Sequence, residues 1–271
     1  MTPRAIAARL VPLAALGLAV TGCGNTASDA LHDTAGHLAS LHSGRLALRV
    51  TLGTRDGHQV GFAITGPFSL ARSAGLPVAD LRYVRVDGTS EREVSHIVST
   101  GGQAYSVASD GARPLPAAAV AELRQPGAGA GLGYLHPDTW LPDPQLSSGP
   151  TLAGVRTDRI TGRADVVALF DDVLPLLTRG TAGSPLAGSD ADLLRRVVSA
   201  SSVTVDTGHD DRLLRSLDIA ADLGRQRAPA GSPVAGLDLV RMRIHVGIDD
   251  PDGAISVAPP AGSSVASAAR G

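Results

Sequence analysis

Near the end of the chain Val240, Met242, Ile244, Val246 and Ile248 alternate with Arg241, Arg243 and His245. A period of two places all the apolar side chains on one face of an extended strand and the charged ones on the other. Such a segment belongs in a sheet that is dry on one side only, and the dry side has to be covered. The same pattern opens the chain's main body. Leu46, Leu48, Val50 and Leu52 alternate with Arg45, Ala47, Arg49 and Thr51, and 54–57 (Thr-Arg-Asp-Gly) reads as the hairpin into a second strand carrying Val60, Phe62, Ile64 and Phe68. Gly66-Pro67 should bend or bulge that strand, because proline cannot donate to a ladder.

Further strands are expected at 80–86, 93–100, 103–108 and 155–161, then at 203–206 and 213–223, with 255–257 as a last edge segment. Short turns between the early strands favour an antiparallel meander over β-α-β units. Helical spacing appears in three places that could supply the cover. Leu31, Leu38 and Leu41 share a face, with Ser28 or Asp29 as cap; Val166, Phe170 and Val173 form a stripe over 164–174, which Pro175 should end or kink; Leu193, Leu194, Val197 and Val198 recur over 190–199. A short helix is expected at 116–125. The glycine–alanine run at 127–133, the proline-rich stretch 134–144 and the segment 180–188 read as loops, and 260–271 as a disordered tail. The expected fold class is α+β, a single strongly curved antiparallel sheet, or incomplete β-barrel, covered by helices and spanning 31–259 as one domain.

The first residues carry an address. Arg4 and Arg9 precede an uninterrupted low-polarity run, 10–20, that is too short to span a bilayer as a permanent helix. Thr21 and Gly22 are small, and Cys23 follows as the chain's single cysteine. This is the layout of a secretory signal. Residues 18–23, Leu-Ala-Val-Thr-Gly-Cys, resemble the bacterial lipobox, with Val20 where the strict form has leucine. The resemblance implies a signal peptide over 1–22, cleavage before Cys23, acylation there (palmitate-type chains), and a linker over 23–30. Each buried methylene of such a chain contributes about 0.8 kcal/mol to membrane attachment. The expected location is the extracytoplasmic face of the cell membrane.

The plan of the mature chain is similar to the LppX/LprG-type lipoproteins of actinobacteria and, more distantly, to the LolA/LolB carriers. The likeness rests on the paired opening strands, on 135–141 (Leu-His-Pro-Asp-Thr-Trp-Leu), on 157–162 leading into Asp165-Val166, and on Asp250-Pro251 after the long strand. It implies a LolA-like ligand-binding domain with an apolar cavity between sheet and helices, and as partners a lipid or other hydrophobic ligand, the membrane through Cys23, and an envelope protein. The residues expected to line that cavity are Leu48, Val50, Phe62, Ile64, Trp140, Val166, Phe170, Val173, Leu193, Val197, Leu217, Ile219, Met242 and Ile244. Aromatics make up only 3% of the chain, so the lining is aliphatic and suits acyl chains. Two alternatives stay open at this level. The same residues would also fill a solid core, leaving a structural or protein-interaction lipoprotein. Trp140, with Tyr134, either lids a cavity mouth or packs against the sheet.

No motif for enzymatic chemistry appears. Gly-x-Ser-x-Gly, His-Glu-x-x-His and glycine-rich phosphate loops are missing from the sequence. His32, His37 and His42 are five apart, which turns successive side chains of a helix away from one another. The acidic turns near 206–211 and 249–253 lack a calcium-loop pattern. A net charge of −2 with interspersed signs offers no basic stripe to nucleic acid. The expectation is therefore a binding protein without metal or cofactor, and not an enzyme.

Overall fold

The computed structural model describes the backbone of residues 26–70, 75–124, 135–177, 188–227 and 238–261, and the side chains within them except 174–177, 225–227 and 238. The expected export signal over 1–22, Cys23, the run at 127–133 with Tyr134, residues 180–187 and the tail beyond 261 lie outside the described residues.

Among the described residues eleven strands form one antiparallel sheet. They are β1 (Ser43–Thr54), β2 (Gln59–Ser69), β3 (Val78–Asp87), β4 (Ser90–Thr100), β5 (Ala104–Ala108), β6 (Gly111–Pro114), β7 (Gln145–Leu152), β8 (Val155–Gly162), β9 (Val198–Gly208), β10 (Leu214–Arg227) and β11 (Asp238–Asp249). Their order is β6-β5-β4-β3-β2-β1-β11-β10-β9-β8-β7, an open sheet with β6 and β7 at its edges. Every ladder joins strands consecutive in sequence except the one between β1 and β11. Two meanders are thus joined by one long-range ladder.

The registers place the apolar alternations of distant strands in line. One row across the sheet is Ile64, Leu48, Val246, Leu217, Val205 and Ile160; the next is Phe62, Val50, Ile244, Ile219 and Val203. Directly opposed residues point to the same face, so these rows form one continuous dry surface. Full burial of a side chain such as Leu217 or Ile160 contributes about 1.5–3 kcal/mol.

Among the described residues five helices accompany the sheet: α1 (Ala27–Ser40), α2 (Ala117–Leu123), α3 (Pro137–Trp140), α4 (Val166–Leu177) and α5 (Gly188–Val197). Helix α1 starts earlier than its apolar spacing suggests. Thr26 is the cap, its hydroxyl accepting from the Asp29 amide at 3.1 Å while Asp29 accepts from the Thr26 amide at 3.1 Å. Asp29 therefore sits one turn inside the helix. Thr34 is buried on α1, its hydroxyl 2.9 Å from that of Thr207, which fastens the helix to β9. Helix α4 is capped by Asp165, whose Oδ1 accepts from the Val167 amide at 2.9 Å, and it continues through Pro175 to Leu177 instead of ending there.

Other differences have physical causes. β7 has no counterpart among the expected strands, because Gln-Leu-Ser-Ser-Gly-Pro-Thr-Leu shows no alternation. It is an edge strand with an irregularity between Ser148 and Thr151, where Pro150 needs no ladder partner. Residues 255–257 alternate in sequence yet form no strand. β2 does not break at Gly66-Pro67: its ladder to β1 runs through both, while paired contact with β3 skips them. Gly66 has φ of 138°, and a Cβ there would lie 1.8 Å from the Asp80 carbonyl oxygen. Only glycine lets β2 and β3 approach at that point.

Two outcomes follow from these contacts. Gly66→Ala should lower stability by about 1–3 kcal/mol or more in urea titration, and an unchanged midpoint would contradict the close approach. Asp158 on β8 accepts from Arg212 and, at 2.8 Å, lies against His209 Nδ1. Partial burial pushes its carboxyl up, but hydrogen bonds and charge from Arg212 and His209 outweigh that and hold it below its usual 3.8. A lowered folded value means the pairing stabilises above pH 3.8 and that this contribution disappears as pH falls through the folded value. Asp158→Asn should therefore be less stable than the parent at neutral pH, with the gap closing in acid. A gap independent of pH would contradict this.

Candidate functional site

The dry face of the sheet divides into two unlike halves. Over β8 to β11 it is filled. Ile160, Val203, Val205, Leu217 and Ile248 are at most 1% exposed and pack with Leu31, Leu38, Trp140, Leu169 and Val173 from the helices in one core. Helices α1, α3, α4 and α5 pack against β9, β10 and one another.

Trp140 pins this half. Pro137 sets the first residue of α3, and the one-turn helix delivers the indole into the core with no exposed surface. Its Nε1 donates to Asp172 Oδ2 of α4 at 2.9 Å, and the His136 amide donates to the same oxygen at 2.7 Å. The Trp140 carbonyl accepts from the Asp165 amide at 2.7 Å, at the start of α4. The tryptophan packs inside the fold and is not displayed at a rim.

Over β1 to β3 the same face is apolar but half-open. Leu46, Leu48, Leu52, Phe62 and Phe68 are only partly buried against the core, and so is Ile64 along its row. Tyr83 stands opposite Ile64 and stacks on Phe62, with ring centroids 5.6 Å apart and an interplanar angle of 25°. The pair makes a flat aromatic floor beside the leucines.

Of the residues expected to line a cavity, Val50, Trp140, Val166, Val173, Leu217, Ile219, Met242 and Ile244 are buried in the common core. Leu48, Phe62 and Phe170 border it and Ile64 extends the open strip, while Val197 is half-buried. Leu193 is turned outward and is 49% exposed. Helix α5 presents Ala191 and Leu194 inward, three residues apart, and Leu193 lies about 100° round from Leu194. Sequence reasoning missed Tyr83 and Asp172. Tyr83 becomes visible once its register with Ile64 is known; Asp172 carries no sequence signal.

The opposite face is polar over β1 and β9 to β11, whereas over β3 to β5 it carries the buried Val86, Val98 and Tyr105. A groove of about 350 Å³ crosses it, lined by Arg49, Thr51, Ser202, Thr204, Asp218, Arg243 and His245. A second concavity of about 310 Å³ lies beside α2 against Tyr105 and Pro114. Arg159 Nε and a terminal guanidinium nitrogen donate to the two oxygens of the buried Asp206, at 2.8 and 2.9 Å, and this pairing raises the arginine's pKa, against the lowering effect of its own burial. Several histidines serve as cross-links. His32 meets Asp138 (3.1 Å), His96 meets Asp80 (2.6 Å), His136 meets Asp172 (3.2 Å) and His245 meets Asp218 (2.8 Å). Among the described residues no three His, Cys, Asp or Glu side chains converge as metal ligands, and no helix is long and apolar enough to cross a membrane.

No protein-family model matches the chain, and no curated protein matches it. Among solved structures it is similar to LprF from Mycobacterium bovis, at 16% identity over 87% of this chain and 97% of that one, with a TM-score of 0.40. It is also similar to the lipoprotein LppX from Mycobacterium tuberculosis, at 13% identity over 86% of this chain and 98% of that one, again with a TM-score of 0.40.

The filled and open halves should respond differently to truncation. Leu217→Ala should cost about 2–5 kcal/mol, and Trp140→Ala about 3–5 kcal/mol, in denaturant titration. Leu48→Ala should cost well under the Leu217 value, since its neighbours leave less of a cavity to create. Equal losses at Leu48 and Leu217 would contradict the division of the face.

Proposed function

We propose that this chain is a membrane-anchored lipoprotein of the cell envelope that holds a lipid or other apolar ligand against the open half of its dry face. The observation that carries the reading is the strip Leu46, Leu48, Leu52, Phe62, Ile64 and Phe68, apolar and only partly buried beside the closed core over β8 to β11. Water gains by leaving such a surface, and binding to it needs contact area more than directed polar bonds. The ligand chemistry that fits is hydrocarbon.

The anchor is Cys23. The cap of α1 at Thr26 lies only three residues beyond it, a reach of roughly 10 Å when extended. Acyl chains on Cys23 would hold the folded body close against the bilayer, where lipids are met. The role is binding without catalysis; the engagement of His32, His96, His136 and His245 with carboxylates supports this, since it accounts for these side chains by cross-linking. The dense packing beneath α1, α3 and α4 favours a second reading, in which the strip contacts a protein partner in the envelope.

Mass spectrometry of organic extracts from protein purified out of its native envelope separates the two. Stoichiometric lipid is expected; its repeated absence, with a co-purifying protein in its place, would favour the second reading. Cys23→Ala should release the protein from the membrane fraction and remove the acyl mass from its N-terminus. Unchanged membrane partition would contradict the anchor.

A further inference from the structure

The open strip ends in an unusual pair of charges. Arg85 of β3 stands opposite Phe62 on one side and opposite Arg92 of β4 on the other. Directly opposed residues share a face, so both guanidinium groups stand on the dry side of the sheet, one step along β3 from Tyr83. Both are exposed. Like charges opposed across a ladder destabilise a sheet, and a neighbouring carboxylate ordinarily relieves them.

The nearby carboxylates are otherwise engaged. Asp87 is 2.9 Å from His58, Glu91 pairs with Arg49 on the opposite face, and Glu93, opposite Val84, also points to that opposite face. Asp80 is taken by His96. Among the described residues neither Arg85 nor Arg92 has an acidic partner.

Moving along the strip from this pair, the surface grades from cationic to aromatic to aliphatic. Tyr83 lies opposite Ser95, stacks on Phe62, and is followed by Ile64, Leu48 and Phe68. From Arg85 to Ala79, which stands opposite Phe68, β3 runs roughly 20 Å, enough for an extended acyl chain. Resting on the reading of the strip as a lipid site, we infer that its ligand is an anionic amphiphile. The phosphate or carboxylate head sits between Arg85 and Arg92, and the hydrocarbon tail lies over Phe62, Ile64 and Leu48. Two guanidinium forks around one oxyanion give charge-assisted hydrogen bonds and cancel the repulsion between the arginines.

The test is native mass spectrometry of the full chain, released from mild detergent, with equimolar lysophosphatidate and monoacylglycerol bearing the same acyl chain. The parent should favour lysophosphatidate by about tenfold, the scale of one or two charged hydrogen bonds. Arg85→Gln with Arg92→Gln should bring that ratio to near one, leave monoacylglycerol binding as it was, and keep or raise the melting temperature. Arg243→Gln on the opposite face should leave the ratio alone.

An undiminished preference in the double variant would overturn the inference, and so would an equal loss in Arg243→Gln, which would point to net charge. Equal binding of both lipids by the parent would remove the headgroup site while leaving the apolar site standing. Binding of neither would remove both. Displacement of lysophosphatidate by inorganic phosphate at similar concentration would show a simple anion site and overturn the amphiphile.

Discussion

The ladder between β1 and β11 is the interaction on which the rest depends. It pairs Leu48 with Val246 and Val50 with Ile244, residues nearly two hundred positions apart in the chain. Without it there are two separate meanders, each with a dry face too small to close. With it, the alternation of one meander continues into the other and a single apolar surface spans the sheet. Register matters as much as pairing, because a slip of one residue would send every leucine of β1 to the polar side. The hydrophobic rows themselves supply that specification, since both strands bury the same face.

The helices cover this surface unevenly, and the asymmetry defines the candidate site. Helices α4 and α5 are inserted between β8 and β9, so they fall back on the C-terminal meander that carries them. Helix α1 is held to the same half by Thr34 against Thr207, and α3 is held by Trp140 and Asp172 against α4. Each cover element is thus tied to another or to β9. The N-terminal meander contributes leucines and aromatics in register with the core but carries no helix of comparable attachment among the described residues. Its apolar face is continuous with the core and less enclosed than it.

Much of this was legible in the residues because period two is hard to mistake when charges mark the other face. The alternation of Val240 to Ile248 with arginines gave β11, and Leu46 to Leu52 gave β1. The edge strand β7 was not legible: at an edge, one ladder and partial solvation relax the demand for alternation, and Ser147, Ser148 and Gly149 look like loop. Gly149 is in fact required to be small, since a Cβ there would lie 2.3 Å from the Thr157 hydroxyl. Residues 255–257 show the opposite error, alternation without a neighbouring strand to pair with. On α5 the helical spacing held for Leu193, Leu194 and Val197 while Val198 already begins β9, and the phase was wrong: only tertiary packing selects Ala191 and Leu194 over Leu193. The candidate strip was half legible, because the leucines of β1 could be read from alternation while Tyr83 depended on the register of β3.

The central claim is that the dry face over β1 to β3 is where hydrocarbon binds. Photolabelling with a diazirine-bearing acyl probe, followed by peptide mass spectrometry, addresses it directly. The account predicts adducts at Leu48, Phe62, Ile64 and Tyr83, competed away by unlabelled lipid. Adducts concentrated on the outward row of Thr51, Arg243 and Ser202, or beneath α4 at Val203 and Leu217, would contradict it.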